Sequence, residues 1–211
     1  PLALGGGDFE QVDRRGTFVG WRWQDDCVSI DRETRHGGGA SARVADIRKH
    51  SPDHGNARLM QTIEVEPFRY YHLSVWVRTK DFETPDQVKV AVLTEGRSLQ
   101  HQDLGVKRNQ EWTRHHVAFN TLTHRKVRIY LGVWQGRGGQ LWFDDAKLEA
   151  GGFVNVLRRP GCPVKLTGPD GKTIYQEGRD VATVEDPVVA QRRRGGDFEV
   201  WHDQPIVKLP Q

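Results

Sequence analysis

Cysteine is almost absent, methionine occurs once, and no long apolar run interrupts the 211 residues. The two cysteines, Cys27 and Cys162, stand far apart with no second thiol at metal-ligand spacing, which argues against a cysteine-based zinc site. They either pair in an oxidising compartment or stay as buried thiols. A membrane-spanning helix needs about 18 or more consecutive apolar residues, and nothing in the chain approaches that. Its mean hydropathy is −0.68. The opening Pro1-Leu2-Ala3-Leu4 lacks the basic region and apolar stretch of a secretory leader, so export has to be argued from other features. A strong charge bias is missing too: 31 basic residues oppose 28 acidic ones, a formal net charge of +3. That balance makes nucleic acid a poor partner. The densest basic run, Arg192-Arg193-Arg194, lies in a linker-like segment without the interleaved aromatics of a single-strand groove.

Short β-type runs separated by turn signals are what the chain does contain, and convincing helical periodicity is lacking. Strands are expected around residues 17–20, 28–31, 40–45, 58–65, 70–79, 87–94, 113–120, 126–134 and 140–148. Gly37-Gly38-Gly39, Ser51-Pro52-Asp53, Thr84-Pro85-Asp86 and Gly136-Arg137-Gly138-Gly139 supply the turns between them. The pattern predicts an all-β fold, two antiparallel sheets facing each other over residues 5–150. After Ala150, two β-like stretches, Val164–Thr167 and Thr173–Gln176, flank Gly168-Pro169-Asp170-Gly171 and read as a β-hairpin extension over 151–185. Residues 186–211 read as a linker toward a further domain. The echo of Gly6-Gly7-Asp8-Phe9-Glu10 in Gly195-Gly196-Asp197-Phe198-Glu199 is taken as coincidence.

Strand parity selects the candidate binding residues. In 70–79, Tyr71, Leu73, Val75 and Val77 point one way, and His72, Ser74, Trp76 and Arg78 the other. Likewise Val127, Ile129, Leu131 and Val133 oppose Arg128, Tyr130, Gly132 and Trp134. A face carrying Trp76, Arg78, Tyr130 and Trp134 suits a sugar, whose axial C–H patch stacks on an aromatic plane while its hydroxyls take fork donors and amides. Gln61, Gln100, Gln102 and Gln135 are candidate hydroxyl partners. Alternation places Trp21 and Trp23 on one face, as a cleft wall or as a plug at the sandwich end. The competing reading makes these rings a satellite core under loops.

Asp8, Glu10, Asp144 and Asp145 are hard oxygen donors near the two ends of the sandwich, and the Gly37–Gly39 turn exposes carbonyls, a set compatible with calcium. Catalysis fares worse. Glycoside hydrolysis needs two carboxyl groups flanking one bond, whereas neighbours on a strand such as Asp144 and Asp145 are expected to diverge. Asp25-Asp26, His115-His116 and the loop His50–His54 offer no fixed constellation either, so no catalytic residue is assigned.

The chain resembles the carbohydrate-binding modules of families 4, 16 and 22, a jelly-roll group appended to bacterial polysaccharide hydrolases. The resemblance rests on Gly7-Asp8-Phe9-Glu10, Gly20-Trp21, the run His36 to Arg43, Gln61-Thr62-Ile63, Tyr71 to Arg78, Glu111-Trp112-Thr113 and Leu141 to Glu149. It implies a structural calcium held by Glu10, the Gly38 region and Asp144. It also implies a groove on the concave sheet for xylan or β-glucan, and a non-catalytic role in a secreted protein. The groove aromatics of the group are too variable to transfer, so Trp76, Arg78, Tyr130, Trp134, Gln135 and Trp23 rest on the residues alone. Residues 154–180 are similar to a stretch that follows such a module and precedes a barrel-type catalytic domain, implying a C-terminal enzyme as partner. The expected product is a monomeric ancillary module of a glycoside hydrolase. The alternative is an interdomain sandwich that binds no sugar, and an enzyme in its own right comes last.

Overall fold

A computed structural model describes residues 4–151, 166–184 and 208–210. Ten strands form the larger unit: β1 (Trp23–Gln24), β2 (Val28–Asp31), β3 (Ser41–Val44), β4 (Ala57–Glu64), β5 (Tyr70–Lys80), β6 (Val88–Thr94), β7 (Arg97–Asp103), β8 (Gln110–Asn120), β9 (Lys126–Val133) and β10 (Gln140–Gly151). A one-turn helix, α1 (Ile47–His50), and a 3₁₀ turn at Pro85–Gln87 are the helical elements among the described residues. The strands make two five-stranded antiparallel sheets, a front sheet ordered β1-β4-β9-β6-β7 and a back sheet ordered β2-β3-β10-β5-β8. This is the expected jelly-roll sandwich.

Alternation builds the core. Along β4, Ala57, Leu59, Gln61 and Ile63 turn inward and are buried, while Arg58, Met60, Thr62 and Glu64 turn outward. The front sheet contributes Leu59, Val90, Val92, Ile129 and Leu131, and the back sheet Tyr71, Leu73, Val75, Val77, Leu141 and Phe143, all buried. Each such side chain withdrawn from water stabilises the sandwich by about 1.5–3 kcal/mol. At one end Phe9 packs edge-on against Phe18 at 5.3 Å and stacks on Trp21 at 5.4 Å, and Trp21 Nε1 donates to the Gly6 carbonyl at 3.0 Å.

Two expectations need correction. Residues 17–20 form no strand; Phe18 makes an isolated bridge to Val12. Conversely, β1 and β7 have no counterpart among the expected strands: β1 is only two residues long, and Arg97-Ser98-Leu99-Gln100-His101-Gln102-Asp103 has no apolar alternation. The inward positions of β7 carry Gln100 and Gln102, whose side-chain amides donate to the Ala118 and His116 carbonyls of β8, both at 3.0 Å. Polar bridging at the sandwich edge replaces apolar packing there, and those two glutamines are engaged inside the fold.

The chain divides into two compact units, Pro1–Gly151 and Gly152–Gln211. In the second, β11 (Leu166–Thr167) pairs antiparallel with β12 (Ile174–Tyr175). Asp170 holds the turn by accepting bonds from the Lys172 and Thr173 amides and the Thr173 hydroxyl at 2.7–3.0 Å. Cys162, the arginine run, the repeated Gly-Asp-Phe-Glu stretch and most of the expected linker lie outside the described residues. Cys27 is a buried free thiol whose Sγ lies 3.3 Å from the Asn56 carbonyl.

Candidate functional site

The outward positions of the front sheet line up across all five strands. Trp23 of β1 sits opposite Met60 of β4, Met60 opposite Tyr130 of β9, Tyr130 opposite Ala91 of β6, and Ala91 opposite His101 of β7. At the usual strand spacing of about 4.8 Å this row is roughly 19 Å long. Trp23 is 38% exposed and carries the Arg58 guanidinium over its ring at 4.9 Å from the centroid. Arg58 is fixed in turn by Asp25, whose Oδ2 accepts from its Nε at 3.0 Å and its backbone N–H at 2.9 Å. The next row is Arg58, Gly132 and Lys89, with Lys89 held by Asp103 at 3.1 Å. Alanine at 91 and glycine at 132 keep the middle of the face low. Directly after β9, Trp134 anchors its N–H on the Gln87 carbonyl at 3.1 Å and turns its ring edge toward His101 at 6.1 Å. Gln135 follows, exposed and with φ +61°.

The sequence points to six candidate sugar contacts, and the fold divides them. Tyr130, Trp134, Gln135 and Trp23 belong to the front sheet or its rim. Trp76 and Arg78 lie on the outer face of the back sheet, so the single face carrying Trp76, Arg78, Tyr130 and Trp134 does not exist. Parity gives inside or outside, and both sheets of a sandwich have an outside. His36 stacks on Trp76 at 3.9 Å between ring centroids with Trp112 edge-on to it, which makes Trp76 the floor of a loop. Arg78 lies over Trp142 at 5.7 Å and pairs with Glu111 at 3.3 Å. Trp142 is itself buried, its Nε1 bonded to Asp31 Oδ2 at 2.8 Å. Burial would raise the Asp31 pKa, but that bond and the Glu33 and Thr34 amides outweigh it and hold Asp31 low. Trp21 and Trp23 also separate, one buried in the end plug and the other exposed, because the chain bends at Arg22 between them and only Trp23 belongs to β1, so strand alternation does not link the two. Sequence reasoning missed His101, Arg58 and Met60; only strand pairing brings His101 and Met60 into the row and Arg58 into the row beside it.

Glu10 and Asp144 each bond the loop around Gly38, one at either side of it. Glu10 Oε1 accepts from the Gly39 and Ala40 amides at 2.8 and 3.3 Å. Asp144 Oδ2 accepts from the His36 and Gly37 amides at 2.8 and 3.1 Å, and its Oδ1 from the Asp145 amide at 2.7 Å. Burial pushes Asp144 above the ordinary carboxylate range, with those three amides opposing it and the Asp145 charge adding to it. Contrary to the expectation from parity, Asp144 and Asp145 attend the same loop: Asp145 Oδ2 lies 2.7 Å from His36 Nδ1. A register shift between Asp144 and Lys147, with Asp145 at φ +45°, breaks the alternation. Ala146 in that bulge donates to the Gly7 carbonyl at 2.7 Å, docking the opening Gly-Asp-Phe-Glu stretch onto β10. A Cβ at Gly37 or Gly38 would collide with Asp145 Oδ2 or Glu10 Oε1, so glycine here is the cradle for two carboxylates. Glu10 and Asp144 are hard, anionic donors of the kind calcium takes, but the loop meets both with N–H groups, and among the described residues no three His, Cys, Asp or Glu side chains gather closely enough to hold a metal ion.

Residues 4–139 match the carbohydrate binding domain family. No curated protein matches the chain. Among solved structures, an arabinose-bound GH51 α-L-arabinofuranosidase is similar at TM-score 0.54 and 14% identity, over 71% of this chain and 26% of that one. The TmCBM61 module in complex with β-1,4-galactotriose is similar at 0.49 and 20% identity, over 72% and 99%. The CBM22-1 xylan-binding domain of Paenibacillus barcinonensis Xyn10C gives 0.48 and 12%, over 71% and 92%. With the family match spanning well over half its length, this chain belongs to the carbohydrate binding domain family.

Proposed function

We propose that the chain binds polysaccharide on the outer face of the front sheet, with Trp23 and Tyr130 as stacking platforms and Trp134, His101 and Gln135 at the rim. One observation carries this: the unbroken cross-strand row from Trp23 through Tyr130 to His101, aromatic at its ends and centre with the apolar Met60 and Ala91 between. A flat ring presents apolar area to sugar C–H groups at little entropic cost, and Arg58 and Lys89 add donors beside it. A shallow preformed face of this kind supports micromolar to millimolar affinity. Xylan or a β-glucan is the expected polymer. Binding would concentrate an attached glycoside hydrolase on its substrate outside the cell by tethering, with the module itself a non-catalytic monomer. The arabinofuranosidase likeness, a quarter of a longer glycosidase chain, supports that arrangement.

Affinity electrophoresis against a polysaccharide panel tests the site. Retardation should vanish in Trp23→Ala and Tyr130→Ala and persist in Trp76→Ala. Retardation untouched by both front-face changes would move the site elsewhere. Binding of no glycan by the unaltered chain would favour the interdomain reading.

The loop at Gly38 is proposed as a structural staple, with calcium between Glu10 and Asp144 as its expected occupant. A chelator should then lower the melting temperature. An unchanged transition would leave the amide-to-carboxylate bonds as the whole staple.

A further inference from the structure

The front face is not uniform along its strands. Beyond the aromatic row, Thr62, Arg128 and Leu93 form the next outward row, since Thr62 pairs with Arg128 and Arg128 with Leu93. Those three residues also line a hollow of about 500 Å³ completed by Glu95, His124, Arg125 and Lys126. Arg128, Arg125 and Lys126 face a single carboxylate within that lining, Glu95.

The ion pairs on the rest of the face sharpen the contrast. Arg58 is held by Asp25 and Lys89 by Asp103, while Lys126 has a distant partner, Glu64, at 3.9 Å. Among the described residues no carboxylate pairs with Arg128 or Arg125. Arg128 is exposed on the central strand β9, two positions from Tyr130 and on the same side, roughly 6.6 Å along the strand. A sugar ring stacked on Tyr130 therefore has a guanidinium fork within reach of a ring substituent. Guanidinium forks match the two oxygens of a carboxylate.

Resting on the front-face reading above, we infer that the polysaccharide is acidic: a uronate-bearing polymer whose carboxylate is taken by Arg128, with Arg125 and Lys126 supplying the surrounding positive potential. Attraction from exposed cations is screened by salt, with a Debye length near 10 Å at about 0.1 M. A preference built this way shrinks as ionic strength rises.

The test compares the full chain on glucuronoxylan and polygalacturonate with neutral arabinoxylan and β-glucan, and on dextran sulfate as a polyanion without carboxylates. At low salt the uronate polymers should bind about fivefold tighter than the neutral ones. Arg128→Ala should bring them down to the neutral level, and Arg125→Ala should reduce the excess in part. Equal affinity for neutral and uronate polymers, or an excess indifferent to Arg128→Ala, overturns the inference while leaving the site intact if Trp23→Ala abolishes binding. Dextran sulfate held as tightly as uronates, and regardless of Trp23, overturns it as plain polyanion adsorption. Binding of no polymer removes both readings together.

Discussion

Glycine 38 shows how much a single position carries. Its φ of +54° is a conformation that disfavours a side chain, and a Cβ there would enter the Glu10 carboxylate. Gly96 has φ +71° with no atom within 4 Å of the place a Cβ would take, so alanine there bears the backbone cost alone. Gly96→Ala should lower stability by about 1 kcal/mol, and Gly38→Ala by clearly more, read from urea midpoints. Equal losses would mean that the carboxylate cradle contributes nothing. Cys27 makes a second residue-scale prediction. Burial, with Asp25 adding to it, pushes its thiol up to about 12, so the thiolate that attacks alkylating reagents is absent at neutral pH. In a Cys162→Ser background the remaining thiol should resist a thiol reagent at about pH 7.5 until denaturant is added. Prompt labelling of the folded protein would contradict its burial.

At the scale of elements, β5 and β8 carry histidines that face different ways. His116 points outward, its Nδ1 2.9 Å from His72 Nε2, whereas His115 turns toward the interior, its Nε2 3.0 Å from the Gln110 amide nitrogen. Burial pushes His115 below its ordinary range, and the neighbouring His116 adds to that. The folded protein then binds fewer protons than the unfolded one, so the stability tied to this group is complete above about pH 6.5 and lost as pH falls toward the depressed value. Wild type should lose more stability than His115→Gln between about pH 7.5 and pH 5. An identical loss in the two proteins would show that His115 does not titrate in that window. Trp76, the floor beneath His36, should cost about 2 kcal/mol when truncated to alanine, with glycan affinity kept. Its stacking on His36 and the Asp144–Asp145 bonds to the same loop make the back-sheet end a structural joint.

For the whole molecule, the buried apolar cluster runs from Leu4 to Leu148 among the described residues. A chain ended at Gly151 should therefore fold and melt cooperatively, with the polysaccharide retardation of the full chain. Loss of the transition would show that the sandwich depends on residues 152–211.

Much of this architecture is legible in the chain, for reasons visible in particular strands. Tyr71, Leu73, Val75 and Val77 alternate with polar neighbours, and so do Val127, Ile129 and Leu131; a period of two beside Gly and Pro turns leaves little but a sandwich. The polar edge strand β7 carries no such signal, since Gln100 and Gln102 enter the interior by hydrogen bonding. The candidate site is legible residue by residue and wrong as a set. Tyr130 and Trp76 are both outward, yet alternation along a strand says nothing about which sheet the strand joins. The Asp144–Asp145 pair fails for a related reason, because a bulge resets parity without marking the sequence. The chain alone thus determined the class of fold, the inward and outward residues of most strands, and the family to which it belongs. Tertiary structure decided which outward rings share a face and which are capped by a loop. It also decided that Trp23, Tyr130 and His101, more than a hundred residues apart from first to second, stand in one row. Local chemistry sets a strand's two sides, whereas neighbouring strands meet only through long-range backbone hydrogen bonds, and those register with partners rather than with sequence.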